Sequence, residues 1–137
     1  MNRKVLFLDR DGTLIVEPPD HQVDALKKVH LVAGVIPALL KFREHGYRFV
    51  MVTNQDGLGS ETFPTEDFER CQQHVLDLFA SQGIEFDEVF VCPHGTADGC
   101  DCRKPRAGLL MRYLTENRID LDASAVIGDR DLSLIHI

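Results

Sequence analysis

Apolar positions along this chain follow two alternating rhythms. Val5 to Asp9 is a short, continuous apolar run closed by acid, the pattern of a strand covered on both faces. Val35, Ile36, Leu39, Leu40 and Phe42 then recur at helical spacing and predict a helix over 34–45. Pro37 sits in its first turn, where a missing N–H costs little, and Gly46 supplies the stop. Tyr47 to Thr53 reads as a second strand. Phe68, Cys71, Val75, Leu78 and Phe79 place a helix over about 65–82, with Thr65 as N-cap, Glu66 and Asp67 favourable in the first turn, and Gly83 ending it. Phe86 to Val91 predicts a third strand, Ala107 to Asn117 a third helix, and Ala123 to Ile127 a fourth strand. The stretch 10–24, with Pro18-Pro19, is too long for a mere connection and reads as a functional loop; 92–106 is irregular. No internal repeat, low-complexity stretch or linker interrupts the pattern.

Strands alternating with helices mean an α/β fold: a Rossmann-like parallel sheet under right-handed crossovers, with helices on both faces. Ligands of such sheets collect beyond the carboxyl ends of the strands. Asp9, Thr53, the Cys92 loop and Asp129 all fall at predicted carboxyl ends, so separate segments converge on one edge.

Composition narrows the class. At 137 residues, 44% hydrophobic and 27% charged, the chain holds one domain with a real core. No apolar run approaches the roughly 20 residues that span a bilayer. The N-terminal apolar run breaks on Asp9-Arg10-Asp11, which argues against a signal peptide and for a cytoplasmic protein. A net charge of −7 disfavours nonspecific nucleic-acid binding. It leaves room for an anionic substrate, because Arg103, Lys104 and Arg106 form a local basic cluster.

The chemistry concentrates at two places. Asp9-Arg10-Asp11-Gly12-Thr13 ends the first strand in two carboxylates one residue apart, followed by a glycine turn. One carboxylate can attack while the other moves a proton, in a setting suited to a cation and a phosphoryl group. The bland alternative is a solvated Asp turn. Cys92-x-His94-x₅-Cys100-x-Cys102 is a four-ligand set of soft donors, suited to a closed, structural Zn²⁺ site that would fix the loop before Arg103-Lys104. A disulfide or free thiols are the alternatives. Cys71 lies on an apolar helix face and reads as core. His21, His30, His45 and His74 show no partner spacing.

The first motif resembles that of the haloacid dehalogenase superfamily of phosphotransferases. The likeness continues in order along the chain through Thr53-Asn54-Gln55, Arg103-Lys104-Pro105 and Gly128-Asp129. Glu17-Pro18-Pro19, Asn54-Gln55-Asp56-Gly57-Leu58-Gly59 and Cys-Asp-Cys-Arg-Lys-Pro are similar to its histidinol-phosphate phosphatase branch in particular. The resemblance implies Asp9 as nucleophile and Asp11 as general acid and base. It implies Mg²⁺ held by Asp9, Asp11 and Asp129, Thr53 bonded to a phosphoryl oxygen, and Lys104 neutralising charge. Arg10, Asn54 and Arg103 would orient a small phosphomonoester, and Glu17 would pair with the ammonium or imidazolium of histidinol phosphate.

The tail departs from the family pattern: Ser133 stands where a further acid is expected, and 132–137 resembles nothing in the family. The expectation is a phosphatase domain over 1–131 that is truncated at its C-terminus, an atypical tail over 132–137, and a dehydratase domain fused in the full-length protein. A heptose-bisphosphate phosphatase is the near rival and a polynucleotide phosphatase a distant third. A zinc knuckle and an inactive fragment are the readings from other classes.

Overall fold

The computed structural model describes residues 2–93 and 110–128. Four strands, β1 (Lys4–Leu8), β2 (Tyr47–Asn54), β3 (Glu88–Cys92) and β4 (Ala125–Ile127), form one parallel sheet in the order β3-β2-β1-β4. Three helices accompany them: α1 (Val35–Glu44), α2 (Thr65–Ser81) and α3 (Met111–Glu116).

The period of two in a strand divides the core. Leu6 and Leu8 of β1 join Phe49 and Met51 of β2 on one face, where Leu39 of α1 and Cys71, Val75 and Phe79 of α2 cover them. Val5 and Phe7 join Val50 and Val52 on the other face, under Leu110 and Tyr113. The expected helices on both faces are therefore present. In-register pairing (Leu6 beside Phe49, Leu8 beside Met51) keeps each set on its own side. Tyr113 meets Phe7 edge-on, with ring centroids 6.1 Å apart, and so pins α3 to the second face.

This strand order places β1 at a switch point. From β1 the chain moves outward through β2 and β3, then returns to add β4 on the other side of β1. Crevices at the carboxyl edge of such reversals are where ligands bind.

Several boundaries differ from the sequence expectation. The N-cap of α2 is Pro64, with no side-chain cap; Thr65 is already helical. β4 begins at Ala125 because Ala123 closes a turn onto Asp120 and the Ser124 hydroxyl accepts from the Val5 N–H. Phe86 precedes β3 and packs edge-on against Phe79 at 5.5 Å. The stretch 10–24 is more than a surface loop: Leu14, Ile15 and Val23 are fully buried. Ile15 pairs antiparallel with Leu31, and a 3₁₀ turn over Leu26–Lys28 closes the excursion.

Candidate active site

β1 delivers Asp9 to the carboxyl edge between β2 and β4. Its backbone N–H donates to the Ile127 carbonyl at 3.0 Å, continuing the β1–β4 ladder past Leu8. The chain then reverses on Gly12, whose φ of 87° is the left-handed conformation that glycine tolerates best. The Arg10 carbonyl accepts from the N–H groups of Leu14 and Ile15 at 2.9 and 3.1 Å. This turn holds Asp11 two residues beyond Asp9, and each aspartate is only 7% exposed. Thr13 Oγ1, in the same turn, is buried and has no hydrogen-bond partner among the described residues.

Arg10 turns inward. It is fully buried, and its guanidinium makes three directed contacts. Nε donates to Asp11 Oδ1 at 2.7 Å, the second terminal nitrogen approaches Asp11 Oδ2 at 3.4 Å, and the first donates to Gln72 Oε1 at 2.8 Å. The Phe68 ring lies against its central carbon, 5.0 Å from centroid to carbon, in cation–π contact. The sequence expectation gave Arg10 to the substrate. In this conformation it faces Asp11 and α2 and presents no surface to a ligand.

β2 brings Thr53 to the same edge, almost fully buried. Gln55 Nε2 donates to Thr53 Oγ1 at 2.8 Å and approaches Asp11 Oδ2 at 3.3 Å, so one amide bridges the two motifs. Because the Thr53 oxygen accepts from Gln55, its own O–H remains to donate. Asn54 is half-buried at the end of β2, and the Gln55 N–H bonds the Cys92 carbonyl at 2.7 Å, extending the β2–β3 ladder.

Glu17 lies on the excursion after the motif and pairs with His21, Oε1 to Nδ1 3.0 Å. His21 therefore does have a partner, four residues back, contrary to the sequence reading. Cys71 is core as expected, and burial pushes its thiol up. Cys92 is buried at the end of β3. His94, Cys100, Cys102, Arg103, Lys104 and Asp129 lie outside the described residues. Among the described residues no group of three or more His, Cys, Asp or Glu gathers as a metal would require. Nor is any helix among them long and apolar enough to cross a membrane.

Sequence reasoning missed Gln55, Gln72 and Phe68 as site residues. For Gln72 a signal existed: it is a polar residue on the otherwise apolar face of Phe68, Cys71, Val75 and Phe79. A separate cavity of about 400 Å³ lies at the opposite, amino edge of the sheet, lined in part by Arg43, Arg48 and Asp87. Arg43 donates to the Gly83 carbonyl and Arg48 to Asp87.

A parallel α/β sheet carrying two near-buried aspartates and a strand-end threonine at its switch point defines a phosphatase domain of the haloacid dehalogenase type. The chain belongs to the polynucleotide kinase 3 phosphatase family, whose model matches residues 4–131. It is 57% identical over 129 residues to the histidine biosynthesis bifunctional protein HisB of Legionella pneumophila, across 94% of this chain. The protein of that name from Actinobacillus pleuropneumoniae is 54% identical over 131 residues, across 95% of this chain. The chain spans only 37% and 36% of these relatives' lengths. The crystal structure of D,D-heptose 1,7-bisphosphate phosphatase from B. bronchiseptica, complexed with magnesium and phosphate, superposes with a TM-score of 0.83. Its identity is 28%, over 95% of this chain and 72% of that one.

Proposed function

We propose that this chain is a Mg²⁺-dependent phosphomonoesterase that hydrolyses histidinol phosphate through an aspartyl-phosphate on Asp9. The observation that carries the proposal is the convergence of Asp9, Asp11 and Thr53 on one edge of the sheet, with both carboxylates nearly buried. The high identity to the HisB proteins favours histidinol phosphate. The likeness to a heptose-bisphosphate phosphatase favours the same chemistry with a second candidate substrate.

Asp9 attacks phosphorus in line, and the ester P–O bond breaks as the Asp9–phosphorus bond forms. Asp11, protonated, passes its proton to the departing alcohol oxygen, since an alkoxide leaves poorly. As a carboxylate it then takes a proton from the water that attacks the aspartyl-phosphate, which releases phosphate and regenerates Asp9. Thr53 donates its O–H to a phosphoryl oxygen, and Lys104 neutralises charge on the transferring group. Preorganised donors and positive charge supply most of what phosphoryl transfer asks of a protein.

The donors fit Mg²⁺: the Asp9 carboxylate and the Asp11 backbone carbonyl at one strand end, with Asp129, are hard oxygen ligands that would hold it. When bound, the cation offsets the repulsion between carboxylate and phosphate. Arg103 and Asn54 orient the substrate, and Glu17 receives its cationic end. Cys92, buried at the end of β3, suits a structural Zn²⁺ site with His94, Cys100 and Cys102. A fused dehydratase domain belongs to the same proposal, given that the relatives are named bifunctional.

The test is phosphate release from histidinol phosphate with Mg²⁺ and after chelation, beside a heptose bisphosphate and a 3′-phosphorylated oligonucleotide. Mg²⁺-dependent release, highest on histidinol phosphate and abolished in Asp9→Asn, is the expected result. Preference for the sugar or the oligonucleotide refutes the substrate assignment. Activity that survives Asp9→Asn refutes the mechanism.

A further inference from the structure

Asp11 has to give a proton in one half-reaction and take one in the next from the same place, yet it sits on a turn rather than in a strand. Two side chains hold it, those of its neighbour Arg10 and of Gln55 on the segment after β2. Asp11 Oδ1 accepts the short bond from Arg10 Nε, 2.7 Å. Among the described residues, Asp11 Oδ2 receives two longer approaches, 3.4 Å from Arg10 and 3.3 Å from Gln55. The guanidinium itself is held by α2: Gln72 accepts from it at 2.8 Å, and Phe68, one helical turn earlier, lies against its face. Gln72 is fixed in turn, because its Nε2 donates to Met51 Sδ of β2 at 3.3 Å. The path from α2 to the acid is thus continuous and almost fully buried.

We infer that Gln72 and Phe68 are positioning residues for proton transfer: through Arg10 they hold the Asp11 carboxyl in one orientation at the carboxyl edge of the sheet. The inference rests on the assignment of Asp11 as general acid and base made above. A planar guanidinium bonded on two edges and stacked on a ring cannot swing, so the carboxylate it grips cannot rotate.

General acid catalysis is worth most for a poor leaving group and little for a good one, which separates positioning from mere stability. The full chain, as wild type, Gln72→Met and Gln72→Glu, would be assayed on a primary-alkyl phosphomonoester and on p-nitrophenyl phosphate. For Gln72→Met the expected result is a fall in kcat of about tenfold or more on the alkyl ester, with KM little changed. The fall on p-nitrophenyl phosphate should be under about threefold. Gln72→Glu retains the acceptor and should recover most of the alkyl-ester rate. Should Gln72→Met fail to fold, Phe68→Leu is read in the same way. Equal losses on the two esters, or no loss on the alkyl ester, overturn the inference while leaving the phosphatase reading intact. A wild-type chain that hydrolyses neither these esters nor histidinol phosphate overturns both.

Discussion

Replacing Arg10 with methionine removes the guanidinium and keeps an unbranched stem beside Phe68. Arg10 is fully buried and its main partner, Asp11, is only 7% exposed. The variant therefore strands a near-buried carboxylate, and breaking such a pair from one side costs about 3–5 kcal/mol. Gln72 Oε1 loses its donor as well, a further cost of about 1–3 kcal/mol. Offsetting this, the guanidinium no longer has to be desolvated, and a thioether against the Phe68 ring returns about 0.3–1.5 kcal/mol. The net loss expected is about 3–5 kcal/mol, a large share of the roughly 5–15 kcal/mol that a domain has in total. Urea denaturation followed by circular dichroism measures it as a lower midpoint at unchanged slope. Asp11→Asn and the double variant complete a cycle. If the two residues act as a pair, the double variant is less damaged than the sum of the singles by at least about 2 kcal/mol. A loss below about 1 kcal/mol for Arg10→Met, or additivity within about 0.5 kcal/mol, refutes the pairing argument.

Three further outcomes are expected. Phe79→Ala, at a fully buried ring packed edge-on against Phe86, should destabilise by about 3–5 kcal/mol in the same urea assay. Burial pushes the Cys71 thiol up, so peptide mapping after brief iodoacetamide treatment should find Cys71 unlabelled in the native protein and labelled in urea. Burial also pushes the Tyr113 phenol up, and its hydroxyl has no partner in hydrogen-bond geometry among the described residues. The folded state then keeps this phenol neutral at a pH where the unfolded chain has ionised it. Stability should fall as pH rises above about 10, and fall less in Tyr113→Phe, whose stability at neutral pH should match or exceed that of the wild type.

The elements were legible where burial imposes a period. β1, α1, β2 and α2 lie within a residue or two of expectation, because both strands are covered on two faces and both helices on one. Legibility failed where tertiary contacts override local pattern. Nothing local shows that Leu14, Ile15 and Val23 are core, since Ile15 is anchored by Leu31, sixteen residues on. The carboxyl-edge position of Asp9 and Thr53 was readable from strand ends alone. The inward turn of Arg10 was not, since Gln72 is 62 residues away and only the folded sheet brings α2 beside the turn. A glutamine on an apolar helix face was the one local hint.

The central place of β1 also sets an order of assembly. Its partners in β2 begin 43 residues away, at Lys4 beside Tyr47, whereas those in β4 are 119 residues away, at Leu6 beside Ala125. Closing the longer loop costs about 0.9 kcal/mol more chain entropy, and β4 repays it with only three residues of ladder. The β1–β2–β3 half, with α1 and α2, can therefore form first and already holds Asp11, Arg10, Gln55, Gln72 and Thr53. The N–H of Asp9 finds its carbonyl, on Ile127, only when β4 docks. In a refolding experiment the helical signal should return before the nucleophile is seated, so recovery of activity should lag behind recovery of structure.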